Sequence, residues 1–226
     1  RPDGSDMRPG FPMKSPRLPA FALCALFALA AVGTARAQGG IWSTIPVPGT
    51  SVAGVADGDS GRVLIAGSNG AHRFDGFRMR RLPIFSATTD SLSGNAVLRA
   101  RNGDVWFAHR NGVVRLAADG GVARYDASSG LGNFSDSEAR CLAETPDGTI
   151  WVGTRQGGLS KFDGTTWTTL TTDNGLPSQS VAALGVDPND GSVWAGCLGS
   201  TGALAHIVGA TITNTAVVLS NGFWQR

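Results

Sequence analysis

The sequence lacks most of what a metal enzyme or a disulfide-stapled domain needs. Only three of its 226 residues are cysteine and three are histidine. There is no CxxC pair, and His72, His109 and His206 are scattered, which argues against a zinc site or any other metal site. No HExxH, GxSxG or other nucleophile–base pattern occurs, so no residue is assigned as catalytic. The glycine-rich stretches are not followed by a helix or by Gly-Lys-Ser/Thr, which excludes a phosphate loop. No cofactor is implied.

Excess positive charge is also missing once the N-terminus is set aside. Met13 opens a short basic stretch, MKSPR. An apolar run rich in Ala, Leu and Phe follows from Leu18 to about Thr34, and Ala35-Arg36-Ala37 supplies an A-x-A cleavage pattern before Gln38. Residues 13–37 therefore read as a signal peptide, too short and Ala-rich for a spanning helix. Phe21-Ala22-Leu23 before Cys24 is a poor lipoprotein box. Residues 1–12 read as sequence upstream of the natural start. Residues 1–37 hold five basic and two acidic residues out of 19 and 17, leaving 14 basic and 15 acidic, a net charge of about −1. Nothing in that balance favours nucleic acid. The mature part, residues 38–226, is expected to be periplasmic or extracellular. It keeps Cys141 and Cys197. An exported protein can pair such residues, but they fall in different repeats at non-equivalent positions, which weighs against a disulfide.

What the sequence does have is glycine, turns and a repeat. It contains 32 Gly and 11 Pro, and 42% of its residues are hydrophobic. Four segments align: GRVLIAGSNGAHRFDG from Gly61, GDVWFAHRNGVVRLAADG from Gly103, GTIWVGTRQGGLSKFDG from Gly148 and GSVWAGCLGSTGALAHIVG from Gly191. Their anchors are Leu64, Trp106, Trp151 and Trp194, spaced by 42, 45 and 43 residues. Polar turns precede the anchors at Asp57–Gly61, Arg101–Asp104, Glu144–Gly148 and Asp187–Gly191. Farther upstream lies a Gly-Leu pair or its relic, in Asp90-Ser91-Leu92, Gly130-Leu131 and Gly175-Leu176-Pro177. The best copy divides into four short strands, ARCLAE, TIWVGT, GLSKFD and WTTLTT, separated by residues suited to hairpin turns. Four strands every 40–45 residues is the signature of an all-β propeller of four-stranded antiparallel blades. A tryptophan at one place in each second strand is expected to pack between blades. Phe74 and Phe162 read the same way, and the glycines of WVGT and GGL are expected to allow close approach and sharp turns.

The stretches Asp173–Gly196 and Glu144–Trp167 resemble the two-component regulator propeller repeat, whose pattern is GLPSN, a Val-rich strand, D-x-x-G, a Trp strand ending in GT, then GGL and F-D-G. The likeness covers about Ser135–Ala205 and is weaker from Val52 to Tyr125, where Leu64 replaces Trp and His109 replaces Thr. Cys197 also stands in place of Thr, and the pattern fades after Ala205. The resemblance implies an exported, non-catalytic sensor, joined in the full receptor to a membrane helix and a histidine kinase or diguanylate cyclase and able to act as a homodimer.

Four units and a leading fragment, Gly40–Val47, are few for one propeller of four to eight blades. The chain is expected to be a fragment of about four to five blades that forms an open arc, with an apolar face at Asn214–Trp224. With strands labelled a to d, antiparallel connection puts the d–a and b–c loops on one face. That face would carry His109, Arg110, Arg155, Gln156 and Gln179, donors suited to an anionic small molecule or a carbohydrate. The a–b turns DGDSG and DPNDG are rich in Asp, but their counterparts ETPDG and RNGD lack a calcium pattern, so turn chemistry is the expectation. Arg78-Met79-Arg80-Arg81 reads as an exposed outer strand. Two other functions compete. Gly103–Gly130 is similar to repeats of streptogramin lyases, which are enzymes, and a secreted propeller binding carbohydrate or protein without an output domain fits the same fold.

Overall fold

The computed structural model describes residues 51–84, 93–132, 138–199 and 202–216. The proposed signal peptide, the fragment Gly40–Val47, the relic at Asp90–Leu92 and the tail beyond Ala216 lie outside them. Among the described residues, sixteen strands make four sheets. The first holds β1 (Val52–Asp57), β2 (Val63–Gly67), β3 (Gly70–Phe74) and β4 (Met79–Arg81); the second holds β5 (Gly94–Arg99), β6 (Val105–His109), β7 (Gly112–Leu116) and β8 (Val122–Tyr125). The third holds β9 (Ala139–Glu144), β10 (Ile150–Thr154), β11 (Leu159–Phe162) and β12 (Trp167–Leu170); the fourth holds β13 (Ser180–Val186), β14 (Val193–Leu198), β15 (Ala203–Val208) and β16 (Thr211–Ala216). Each sheet is antiparallel and runs in chain order, the meander of a propeller blade. The first strands β1, β5, β9 and β13 pack successively against one another, so the blades fan around their inner edges in an unclosed array.

Alternation explains why the blades stack. On β10, Trp151 faces blade 4 while Ile150 and Val152 face blade 2, and all are buried. Three apolar clusters result, one in each gap between consecutive blades. Leu64 lies in the first, Trp106 in the second and Trp151 in the third. Trp194 has the same register on β14 but is 37% exposed, because no described blade covers its side of blade 4. The fading pattern after Ala205 does not end the blade. Ala205 and Ile207 of β15 stay buried, and β16 completes the sheet.

The linkers between blades reuse one device. Asp126 caps a 3-10 turn, Ala127–Ser129, and Gly130 ends it at φ 91°. Thr171 caps Thr172–Asn174, and Gly175 ends that turn at φ 99°. Glycine is favoured there because a Cβ is strained in the left-handed region. Each turn drops the next residue, Leu131 or Leu176, into an interblade core, worth about 2 kcal/mol apiece. In the first gap Ile84 fills the comparable place with no exposed surface. Outer strands then clasp the linkers: Arg124 Nη2 donates to Ile84 O at 2.9 Å, Thr169 Oγ1 to Gly130 O at 3.2 Å, and Asn214 Nδ2 to Gly175 O at 2.7 Å.

Cys141 and Cys197 are buried thiols not joined in a disulfide, and both belong to the core between blades 3 and 4. The outer strand β4 carries exposed Arg80 and Arg81, as its charge pattern implies.

Candidate functional site

The topology puts the five expected ligand-face residues on the face formed by the b–c and d–a loops. Their environments differ. His109 ends β6 and is 4% exposed, and its Nδ1 accepts the Asn111 N–H at 3.3 Å. Arg110 is exposed on the same turn. Arg155 and Gln156 are exposed on the turn after β10, with Arg155 Nη1 3.5 Å from a Glu138 carboxylate oxygen. Gln179 is half-buried; its carbonyl accepts the Gly158 N–H at 2.9 Å, which fixes it to that turn. Arg155, Gln156 and Gln179 thus share one neighbourhood on blade 3 and its linker, whereas His109 and Arg110 come from blade 2.

The opposite face carries the acidic a–b turns. Their carboxylates are engaged in the turns themselves. Asp187 Oδ1 accepts from Asn189 N and Nδ2, Asp190 Oδ1 from Ser192 N, and Asp59 pairs with Arg62 at 2.8 Å. Bonds from the Thr145 hydroxyl and the Thr149 N–H hold the Asp147 carboxyl below the usual carboxylate range. Bonds from Ser192, helped by the charge of His206, do the same for Asp190. Both are anionic at neutral pH.

On this face a cleft of about 390 Å³ opens between blades 3 and 4. Trp151, Val193 and Ile207 line its apolar part, with Asp147, Lys161 and Asp190 as its charged groups. The Lys161 ammonium lies 5.7 Å from the centre of the Trp151 ring, and the indole N–H donates to Thr145 Oγ1 at 3.3 Å.

Lys161 belongs to a series that sequence reading missed. The residue paired across the sheet from each anchor is basic: Arg73 with Leu64, Arg115 with Trp106, Lys161 with Trp151 and His206 with Trp194. A basic residue followed by an apolar one lies at or next to the end of each third strand, as Arg73-Phe74, Arg115-Leu116, Lys161-Phe162 and His206-Ile207. That signal was present, but it shifts by up to three residues relative to the anchor as the turns lengthen.

Comparison with known proteins fits this architecture. Residues 133–156 match the model of the two component regulator propeller, so the third blade carries a repeat of that family. No curated protein matches the sequence. Among solved structures, the extracellular domain of the hybrid two component system BT3049 from B. thetaiotaomicron superposes with a TM-score of 0.61 at 15% identity, over 75% of this chain and 25% of that one. An inactive virginiamycin B lyase from Staphylococcus aureus gives 0.56 at 19% identity, over 74% and 55%. A gluconolactonase from Xanthomonas campestris gives 0.54 at 19%, over 73% and 61%. These identities establish the propeller fold alone, and the chain spans between a quarter and three fifths of the length of these proteins.

Proposed function

We propose that this chain is the extracytoplasmic ligand-sensing part of a bacterial signal-transduction receptor and is not itself catalytic. The observation that carries the reading is the two component regulator propeller repeat at residues 133–156, set within a series of blades built to the same plan. In this reading the receptor continues into a membrane-spanning helix and a kinase or cyclase output. A ligand on the face with Arg110, Arg155, Gln156 and Gln179 changes how neighbouring propellers sit, and the output follows that population shift. The exposed arginines suit an anionic or polyhydroxylated ligand.

Sequencing the native locus through and beyond Arg226 in frame tests this reading. Further repeats leading to a spanning helix and an output domain are expected. A stop after one closed propeller overturns it and favours a secreted enzyme or binding protein, since the fold alone serves both.

A further inference from the structure

The second and third interblade gaps are built on the same register but are filled differently. In the gap between blades 2 and 3, Asp104 is 4% exposed and its carboxylate binds Arg115 through Nε and Nη2, both at 2.7 Å. The Asp104 carboxylate therefore neutralises the cation beside Trp106. Tyr125, Phe162 and Trp167 pack around that indole at centroid distances of 5.8, 5.7 and 6.3 Å and leave it little open space.

One blade later the counterparts change. Thr149 occupies the place of Asp104: its carbonyl accepts the Thr145 N–H as that of Asp104 accepts the Ala100 N–H. Its own N–H goes to Asp147 as that of Asp104 goes to Asn102. Ile207 stands where Phe162 stands. Two consequences follow from the lost carboxylate and the lost aromatic ring. The Lys161 ammonium has no carboxylate partner among the described residues and lies over the face of Trp151. The space left by the missing carboxylate and the missing aromatic is the cleft itself, which falls within the ordinary size range of small-molecule sites.

We propose that this cleft binds a small α-amino acid with an apolar side chain. The ligand carboxylate takes the place that the Asp104 carboxylate has in the preceding gap and pairs with Lys161. Its ammonium meets the anionic Asp147 and Asp190, both of which line the cleft. Its side chain lies on Val193 and Ile207. A simple anion fits poorly, because two carboxylates flank one lysine and would repel it. A simple cation leaves Lys161 unpaired in a half-enclosed site. A zwitterion places its carboxylate beside Lys161 and its ammonium between the two acids. This site lies on the face opposite the arginine-bearing loops and rests on the comparison of the two gaps, not on the signalling reading. Loss of binding and loss of an output domain are separate results.

Calorimetric titration of the full chain with L-leucine tests it. L-Leucinamide, 4-methylpentanoate and glucose serve as comparison probes. Saturable binding of leucine is expected, with leucinamide and 4-methylpentanoate each weaker by about tenfold or more, the loss of one charge-assisted contact. Lys161→Met is expected to bind leucine and leucinamide alike. Thr149→Asp restores the internal counterion seen at Asp104 and is expected to abolish binding while keeping cooperative melting. Absence of saturable leucine binding by the folded chain overturns the proposal. So does leucinamide or glucose binding as tightly as leucine, or a folded Thr149→Asp variant that binds leucine unchanged.

Discussion

Arg115 faces Trp106 across the β6–β7 pair, its guanidinium carbon 5.7 Å from the ring centre. Asp104 holds that guanidinium in place from the turn below. Cation, ring and carboxylate form one unit inside an interblade gap, and the Asp104 side chain is almost fully enclosed. Removing the acid leaves a partly buried guanidinium without its partner. Asp104→Ala is therefore expected to destabilise the chain by about 2–3 kcal/mol, less than a fully buried pair because Arg115 retains some water. Urea denaturation measures this. Combining it with Arg115→Met is expected to recover part of the loss, since the unpaired charge then disappears.

Trp151 and Trp194 have one register and different surroundings. Trp151 is 6% exposed between two blades, whereas Trp194 is 37% exposed and stacks on His206 at 3.9 Å between centroids. Trp151→Ala should cost about 3–5 kcal/mol, the range for emptying a buried aromatic site. Trp194→Ala should cost about 1 kcal/mol, because much of the indole is already in water. Similar losses in paired chemical denaturation curves would contradict the assignment of Trp194 to an uncovered blade face.

Gly153 lies at a close approach of blades 3 and 4. A Cβ there would meet Val181 Cγ1 at 2.7 Å and press on the Cys141 sulfur. Gly153→Ala is thus expected to overpack the gap and cost about 1–3 kcal/mol. The same variant in a Val181→Ala background should lose less, and denaturation midpoints of the two single variants and the double variant decide it.

The sequence made the blades legible because their punctuation is local. Gly130-Leu131, Gly175-Leu176 and the Asp-Gly turns act within a few residues, so spacing alone located the strands around Trp106 and Trp151. The outer half of blade 4 was harder to read. GALAHI lacks the GGL and F-D-G marks, yet Ala205 and Ile207 preserve the buried alternation. The cleft was not legible at all. It depends on Thr149 lacking the carboxylate of Asp104 and on Ile207 being smaller than Phe162, differences that matter only across a gap joining residues from separate blades. Reading donors from exposed turns also gave no sign that His109 would be 4% exposed.

His72 gives the chain a pH dependence that carboxylates do not mimic. It lies on β3, is 4% exposed, and its Nδ1 has no hydrogen-bond partner among the described residues. Burial, and then the charge of Arg81 paired across from it, depress its pKa below the ordinary 6.5. The unfolded chain therefore takes up a proton on acidification before the folded chain does. For a depressed group, the stabilising contribution is complete above the unfolded pKa and is lost as pH falls through the folded one. Stability should thus begin to decline just below pH 6.5. The turn aspartates, including Asp147 and Asp126, also have lowered values, but relative to 3.8, so their losses begin about two to three pH units lower. His72→Leu removes the titrating group and the unpaired ring nitrogen together. Urea midpoints measured at pH 7 and about pH 5 should differ for the parent chain and differ less for this variant. An unchanged difference would mean that another group titrates in this window and that His72 binds its proton equally well in the folded and unfolded chain.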